Sequence, residues 1–171
     1  MAGRNMTVHG MVLGEPVSIT TRREGPMATH VQIVFDCADP ARQAEFWAEA
    51  LHYRAQEPPP GFASWDDWAR AEGIPEERWN DAAAIVDPDG VGPRLFFQKV
   101  PEGKVAKNRM HLDLNVSGER GVSLDERRAR IGAEVSRLKA LGASDERGAI
   151  EQQGEYWVRM NDPEGNEFCV Q

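Results

Sequence analysis

His111 and Asp113 stand two residues apart in a stretch, 110–116, where apolar and polar side chains alternate. Period two is the mark of a strand, so Leu112, Leu114 and Val116 take one face while His111, Asp113 and Asn115 take the other. An imidazole and a carboxylate on one strand face can contact a ligand together, or the carboxylate can orient the ring for acid–base work. A plain internal histidine bonded to Asp113 or to backbone is the competing reading, and the pattern leaves both open. Residues 31–37 alternate in the same way, which sets Gln32 opposite Ile33, Phe35 and Cys37. Trp157 and Arg159 share a strand face, and a cation beside a ring suits an anionic or planar ligand as well as it suits a surface pairing. The chain has no Gly-rich phosphate loop, no Cys-x-x-Cys pair and no nucleophile elbow.

The elements that must position these groups come in two similar runs. Ile85-Val86-Asp87-Pro88-Asp89-Gly90 leads to Leu95-Phe96-Phe97-Gln98, and Arg159-Met160-Asn161-Asp162-Pro163-Glu164-Gly165 leads to Phe168-Cys169-Val170. The two Asp-Pro pairs are 75 residues apart, which implies a duplicated module with a site shared between the halves. The turns themselves read as turn chemistry. In the first run, Asp39-Pro40 opens a helix whose apolar face is Phe46, Trp47, Ala50 and Leu51. Pro58-Pro59-Pro60-Gly61 then breaks the chain before a helical insertion at about 61–80, whose first helix is opened by Ser64 and which carries Trp65, Trp68 and Trp79. Those three indoles read either as a lid over an apolar ligand or as the feet that seat the insertion. In the second run, Ser123 opens a helix with Ile131, Val135 and Leu138 on one face, and Gly142 ends it. Each run reads strand, helix, strand, strand, strand, so the fold class is α+β.

A chain of 171 residues is one compact domain by default. Its net charge is −8, with +1 on residues 1–26 and −9 on the rest, and it has no basic patch with interleaved aromatics, so nucleic-acid binding is not expected. No apolar run approaches the ~20 residues that span a bilayer. The two cysteines, Cys37 and Cys169, lie in apolar strand-like stretches and read as reduced buried thiols of a cytoplasmic protein. Residues 1–26 are polar and without periodicity; they read as a flexible arm rather than a signal peptide.

The segments Asp36-Cys37-Ala38-Asp39-Pro40 with Phe46-Trp47 and Leu51, Met110-His111-Leu112-Asp113-Leu114, and Asn161-Asp162-Pro163-Glu164-Gly165-Asn166-Glu167-Phe168 together resemble the vicinal oxygen chelate superfamily. That superfamily holds glyoxalase I, extradiol dioxygenases, and bleomycin and fosfomycin resistance proteins; the likeness is nearest to actinobacterial glyoxalase-like proteins. The resemblance implies two tandem βαβββ modules, about 27–103 and 109–171, curled around an open barrel-like cavity, and a homodimer. It places four metal-ligand positions at Gln32, Gln98, His111 and Cys169. Gln98 and Cys169 stand where carboxylates are expected, so the charge that would hold a hard divalent cation and the base of a glyoxalase-type isomerisation are both missing. Zinc remains compatible with His111 and a Cys169 thiolate. The expected protein therefore binds a small organic molecule without a standard metal site, through Gln32, Gln98, His111, Asp113, Trp157 and Arg159. The alternative is a lyase or isomerase that uses a variant metal site or His111 and Asp113 as its acid–base pair.

Overall fold

A computed structural model describes residues 29–119, 121–145 and 148–171; the arm read at 1–26 lies outside the described residues. The elements run β1 (Gln32–Cys37), α1 (Pro40–Leu51), β2 (Arg54–Ala55), α2 (Trp65–Ala71), a 3-10 helix (Glu76–Asp81), β3 (Ala82–Val86), β4 (Arg94–Lys99), β5 (Asp113–Leu114), α3 (Leu124–Ala140), β6 (Ala149–Gln152), β7 (Glu155–Asn161) and β8 (Glu167–Val170). They form two four-stranded sheets with the same pattern, β1-β4-β3-β2 and β5-β8-β7-β6. In each, the first strand pairs in parallel with the last, and the remaining pairs are antiparallel. The chain is an α+β protein of two tandem modules.

Local chemistry sets the helix ends. The Asp39 carboxylate accepts from Asn80 Nδ2 at 2.8 Å and from Arg42 N at 3.3 Å with Pro40 at the first helical position, and the Asn80 hydrogen bond first, then that of Arg42, holds the Asp39 carboxyl below its usual range. Ser64 and Ser123 cap α2 and α3 through Asp67 N and Glu126 N. Gly142, at φ +106, follows the C-terminus of α3 in the left-handed region that a glycine occupies without strain. Gln153 and Gly154 both have positive φ, which closes the β6–β7 hairpin with a turn whose twist matches its strands.

The core is one cluster that spans both modules, and Trp47 is its joint. Its ring lies 5.3 Å from Phe35 of β1 and 5.2 Å from Phe168 of β8, and its Nε1 donates to Asp162 at 3.2 Å. Asp162 is 3% exposed and also accepts from Glu164 N and Asn166 N; with the Gln43 amide turned to satisfy both its ends, it accepts from that residue too. Glu164 takes the backbone N–H groups of Ala38 and Asp39, both at 2.8 Å. The second Asp-Pro turn is thus more than turn chemistry: its two acids tie the modules together. The first turn is local, with Asp87 accepting from Asp89, Val91 and Gly92. A second tie comes from Arg137 of α3, which donates to Glu49 O and Ala50 O at the carbonyl end of α1.

The strand expected over 110–116 is regular only at Asp113–Leu114. Backbone bonds from Cys169 N to Leu112 O and from Val116 N to Gln171 O carry its pairing further. No helix among the described residues is long and apolar enough to cross a membrane.

Candidate functional site

Each sheet turns one face to the core and leaves the other open. On the second sheet the alternation buries Leu114, Val158, Phe168 and Val170, and sends Asp113, Arg159, Glu167 and Cys169 to the open side. Register brings these polar groups into rows. Cys169 is the partner of Asp113 on one side and of Arg159 on the other. His111 reaches the same row, with Nε2 3.3 Å from Asp113 Oδ1. One donor atom each of His111, Asp113 and Cys169 lie within 4.8 Å of one another.

The electrostatics of the row depend on burial. The Cys169 thiol is pushed up by burial first and then by the charge and hydrogen bond of Asp113, while Arg159 and Lys107 pull it partly back. The thiol is therefore a proton donor to Asp113 rather than a ready thiolate. Arg159 is half-buried and has no ion-pair or hydrogen-bond partner among the described residues. Trp157 lies two residues along on the same face.

Three further residues complete the face. Gln171 Nε2 donates to Asn115 Oδ1 at 3.0 Å and reaches Asp113 Oδ2 at 3.5 Å. Glu167 pairs with Lys104 at 3.0 Å and accepts from Asn108 N. Burial alone raises the Glu167 carboxyl, but the Asn108 N–H and the Lys104 ammonium outweigh it and hold the group at about 2. Sequence reasoning placed Asn115 on this face with His111 and Asp113 but missed Glu167 and Gln171 as part of it. Period two running through Cys169 and Asp113 was the available signal.

Gln32 and Gln98 sit on the first sheet. Gln98 is the partner of Asp36, to which it donates at 2.9 Å; Gln32 is the partner of Arg94 and accepts from its guanidinium. Four residues of strand, roughly 13 Å, separate the two amides along the sheet. The register also corrects the match between modules. With the two Asp-Pro turns superposed, Ala84 paired with Phe96 corresponds to Arg159 paired with Cys169, so the counterpart of Cys169 is Phe96 and that of Gln98 is Gln171; Val34 facing Phe96 then corresponds to Asp113 facing Cys169, and Gln32 is the counterpart of His111. The four positions do not converge on one ion while each amide keeps its present partner.

A metal at this face would have to use His111, Asp113 and Cys169. Ligands of a tetrahedral zinc lie about 3.3–3.8 Å apart, so the cluster would have to tighten and the thiol to lose its proton. One carboxylate and no second oxygen donor in the set suit a hard ion poorly. The donor chemistry thus fits a soft ion after rearrangement, and does not fit magnesium or calcium.

Between the modules lies a cavity of about 210 Å³. Ile33 to Asp36 of β1 line one side, and His111, Leu112 and Glu167 line the other. A family model for the glyoxalase-like domain matches residues 32–171. The chain belongs to this family. Its solved relatives in fold include a glyoxalase/bleomycin resistance protein/dioxygenase family enzyme from Burkholderia phytofirmans PsJN (12% identity, 81% of this chain and 94% of that one, TM-score 0.53). A possible glyoxalase from Bacillus cereus aligns at 16% identity over 85% of this chain and 99% of its own, with a TM-score of 0.51. The fosfomycin resistance protein FosX from Listeria monocytogenes aligns at 11% identity over 85% and 90%, with a TM-score of 0.53. Identities this low establish a shared fold and nothing about chemistry. No curated protein sequence matches the chain.

Proposed function

We propose that this glyoxalase-like protein binds a small organic molecule between its modules, on the open face of the second sheet, without a standard metal site. The observation that carries the reading is the row His111–Asp113–Cys169–Arg159. It sets a proton acceptor, a carboxylate and an unpaired guanidinium side by side, next to an inter-module cavity. Arg159 with Trp157 favours a ligand with an anionic or planar group. Gln171 and Asn115 add amide donors and acceptors at the edge. Gln98 and Gln32 belong to the first sheet's share of the surface and would meet only a ligand long enough to reach across. The FosX structure was solved with Mn(II) and a dihydroxypropylphosphonic acid; the resemblance implies carboxylates on the closing strands, and this chain has none at Phe96, Gln98 or Cys169, which argues against the same use of the fold.

A second reading has one specific support, the 3.3 Å contact between His111 Nε2 and Asp113 Oδ1. Asp113 then orients the ring, and His111 moves a proton on the bound molecule. Native mass spectrometry of the purified full chain, with and without Arg159→Ala and His111→Ala, tests the binding reading. A co-purifying small molecule lost in both variants is the expected result. Near-stoichiometric zinc, nickel, manganese or iron that disappears in His111→Ala would overturn it. The reading includes a cytoplasmic homodimer: two free buried thiols suit a reducing compartment, and the first strand of each sheet is an edge that a second copy can cover.

A further inference from the structure

The helical insertion encloses a second space, away from the row of His111. β2 covers β3 at Ile85 and Val86, and Gln56 N donates to Ala84 O at 2.9 Å, so the edge of β3 is open at Ala82 and Ala83. The side chains there are methyl groups and fill little of the room beneath α2 and the 3-10 helix. What remains is a cavity of about 750 Å³, lined wholly by residues of the first module. That volume accommodates a drug-sized molecule.

Its walls state what kind. Trp65, Trp68 and Trp79 line it together with Phe96. Trp65 Nε1 donates to Gln56 O at 2.7 Å and Trp79 Nε1 to Ile74 O at 2.9 Å, so these rings are fixed and their N–H groups are already used. Trp68 meets Trp65 edge to face at 5.4 Å. Ala44 and Ala48 of α1 keep the opposite wall smooth. Flat apolar surface is therefore what the walls offer.

The charges at the lining are five. Arg78 is paired with Asp81 at 2.9 Å. Arg94 lies over Phe96, donating to the amide oxygens of Gln56 and Gln32. Glu45 and Asp66 line the cavity with no hydrogen-bond or ion-pair partner among the described residues. The balance is one negative charge, and the unmatched groups are both carboxylates, beside rings whose faces attract cations. We infer that this cavity is a binding site for a flat, largely apolar organic cation, separate from the His111 face.

Calorimetric titration of the full chain with proflavine, a flat tricyclic cation, tests this, with 8-anilinonaphthalene-1-sulfonate as a flat anion of similar size. One saturable proflavine site is expected. The double variant Glu45→Gln with Asp66→Asn should weaken it by roughly 3–10-fold, as two exposed charges beside rings would. Ala84→Phe should abolish it by filling the space. His111→Ala should leave it unchanged, which also separates this site from the one proposed above. No saturable proflavine binding, equal binding in the double variant, or tighter binding of the sulfonate would overturn the assignment. The double variant alters only exposed side chains, so the test stands even where Ala84→Phe fails to fold.

Discussion

Cys169 is buried beside one carboxylate and two cations, and the order of their effects can be measured. Burial and Asp113 raise the thiol, while Arg159 and Lys107 lower it. Alkylation of Cys169 by iodoacetamide should therefore be slow at neutral pH and rise only at alkaline pH. Asp113→Asn removes a charge and a hydrogen bond that both favour the protonated thiol, so the pH–rate midpoint should fall. Mass spectrometry can follow the site alone, because burial first and Glu164 next push Cys37 up to about 12 and keep it silent. An unmoved midpoint in Asp113→Asn would show that the two side chains do not interact in solution. Glu167 yields a second residue-scale expectation. Its carboxyl is depressed from 4.5 to about 2. A depressed acid contributes stability that is fully present above about 4.5 and is lost as pH falls through about 2. Urea melts across that window should show Glu167→Gln less stable than the parent at neutral pH and the two converging towards pH 2. Parallel curves would mean that the Lys104 and Asn108 contacts contribute nothing to folding.

Between elements, the second Asp-Pro turn carries most of the coupling. Asp162→Ala would leave the buried Trp47 indole N–H and several turn N–H groups without an acceptor, at a cost of about 2–4 kcal/mol in a denaturant melt. Glu164→Ala should cost about 1–3 kcal/mol through Ala38 and Asp39, with Glu164→Gln recovering part of it. The matching Asp87→Ala should cost less, because its three acceptor contacts close only its own turn. Equal costs at Asp87 and Asp162 would contradict the inter-module role. These turns also show what the chain made legible. Their repetition, with alternation at 31–37 and 110–116, was enough to read two modules and to separate core faces from open ones. That is because burial on one side of a strand forces period two. The contacts of Asp162 and Glu164 with α1 lie 115 and more residues away in sequence, and nothing local distinguishes them from the acids of an ordinary turn. The same limit explains Gln98. Its place after the first turn fixes a sequence position but not a register, and pairing of β3 with β4 puts Phe96 where Cys169 has its counterpart. The two-residue β2 had no pattern of its own to read, since only Ile85 and Val86 hold it in place.

At the scale of the molecule, both sheets end in an uncovered first strand, β1 in one and β5 in the other. Edge strands with apolar side chains are sites of further association unless something covers them. Val34 is 48% exposed on β1, and Val31 and Met110, both 69% exposed, flank the same region. They border the small cavity between the modules, where Val34 and Met110 lie together with His111. A second copy docked along this line would cover the aliphatic groups and deepen the proposed ligand cleft. The opposing term is charge, since each copy brings −8. Two such bodies repel at low ionic strength, and salt screens that repulsion far more than it affects apolar contact. Sedimentation equilibrium should therefore give about twice the 19.1 kDa chain mass, with the dimer strengthening as salt is added. Val34→Lys should shift the population to monomer while leaving the fold intact, because the residue is exposed and on the open face. A parent chain that stays monomeric at every concentration and salt, or a dimer indifferent to Val34→Lys, would place the covering of these edges elsewhere.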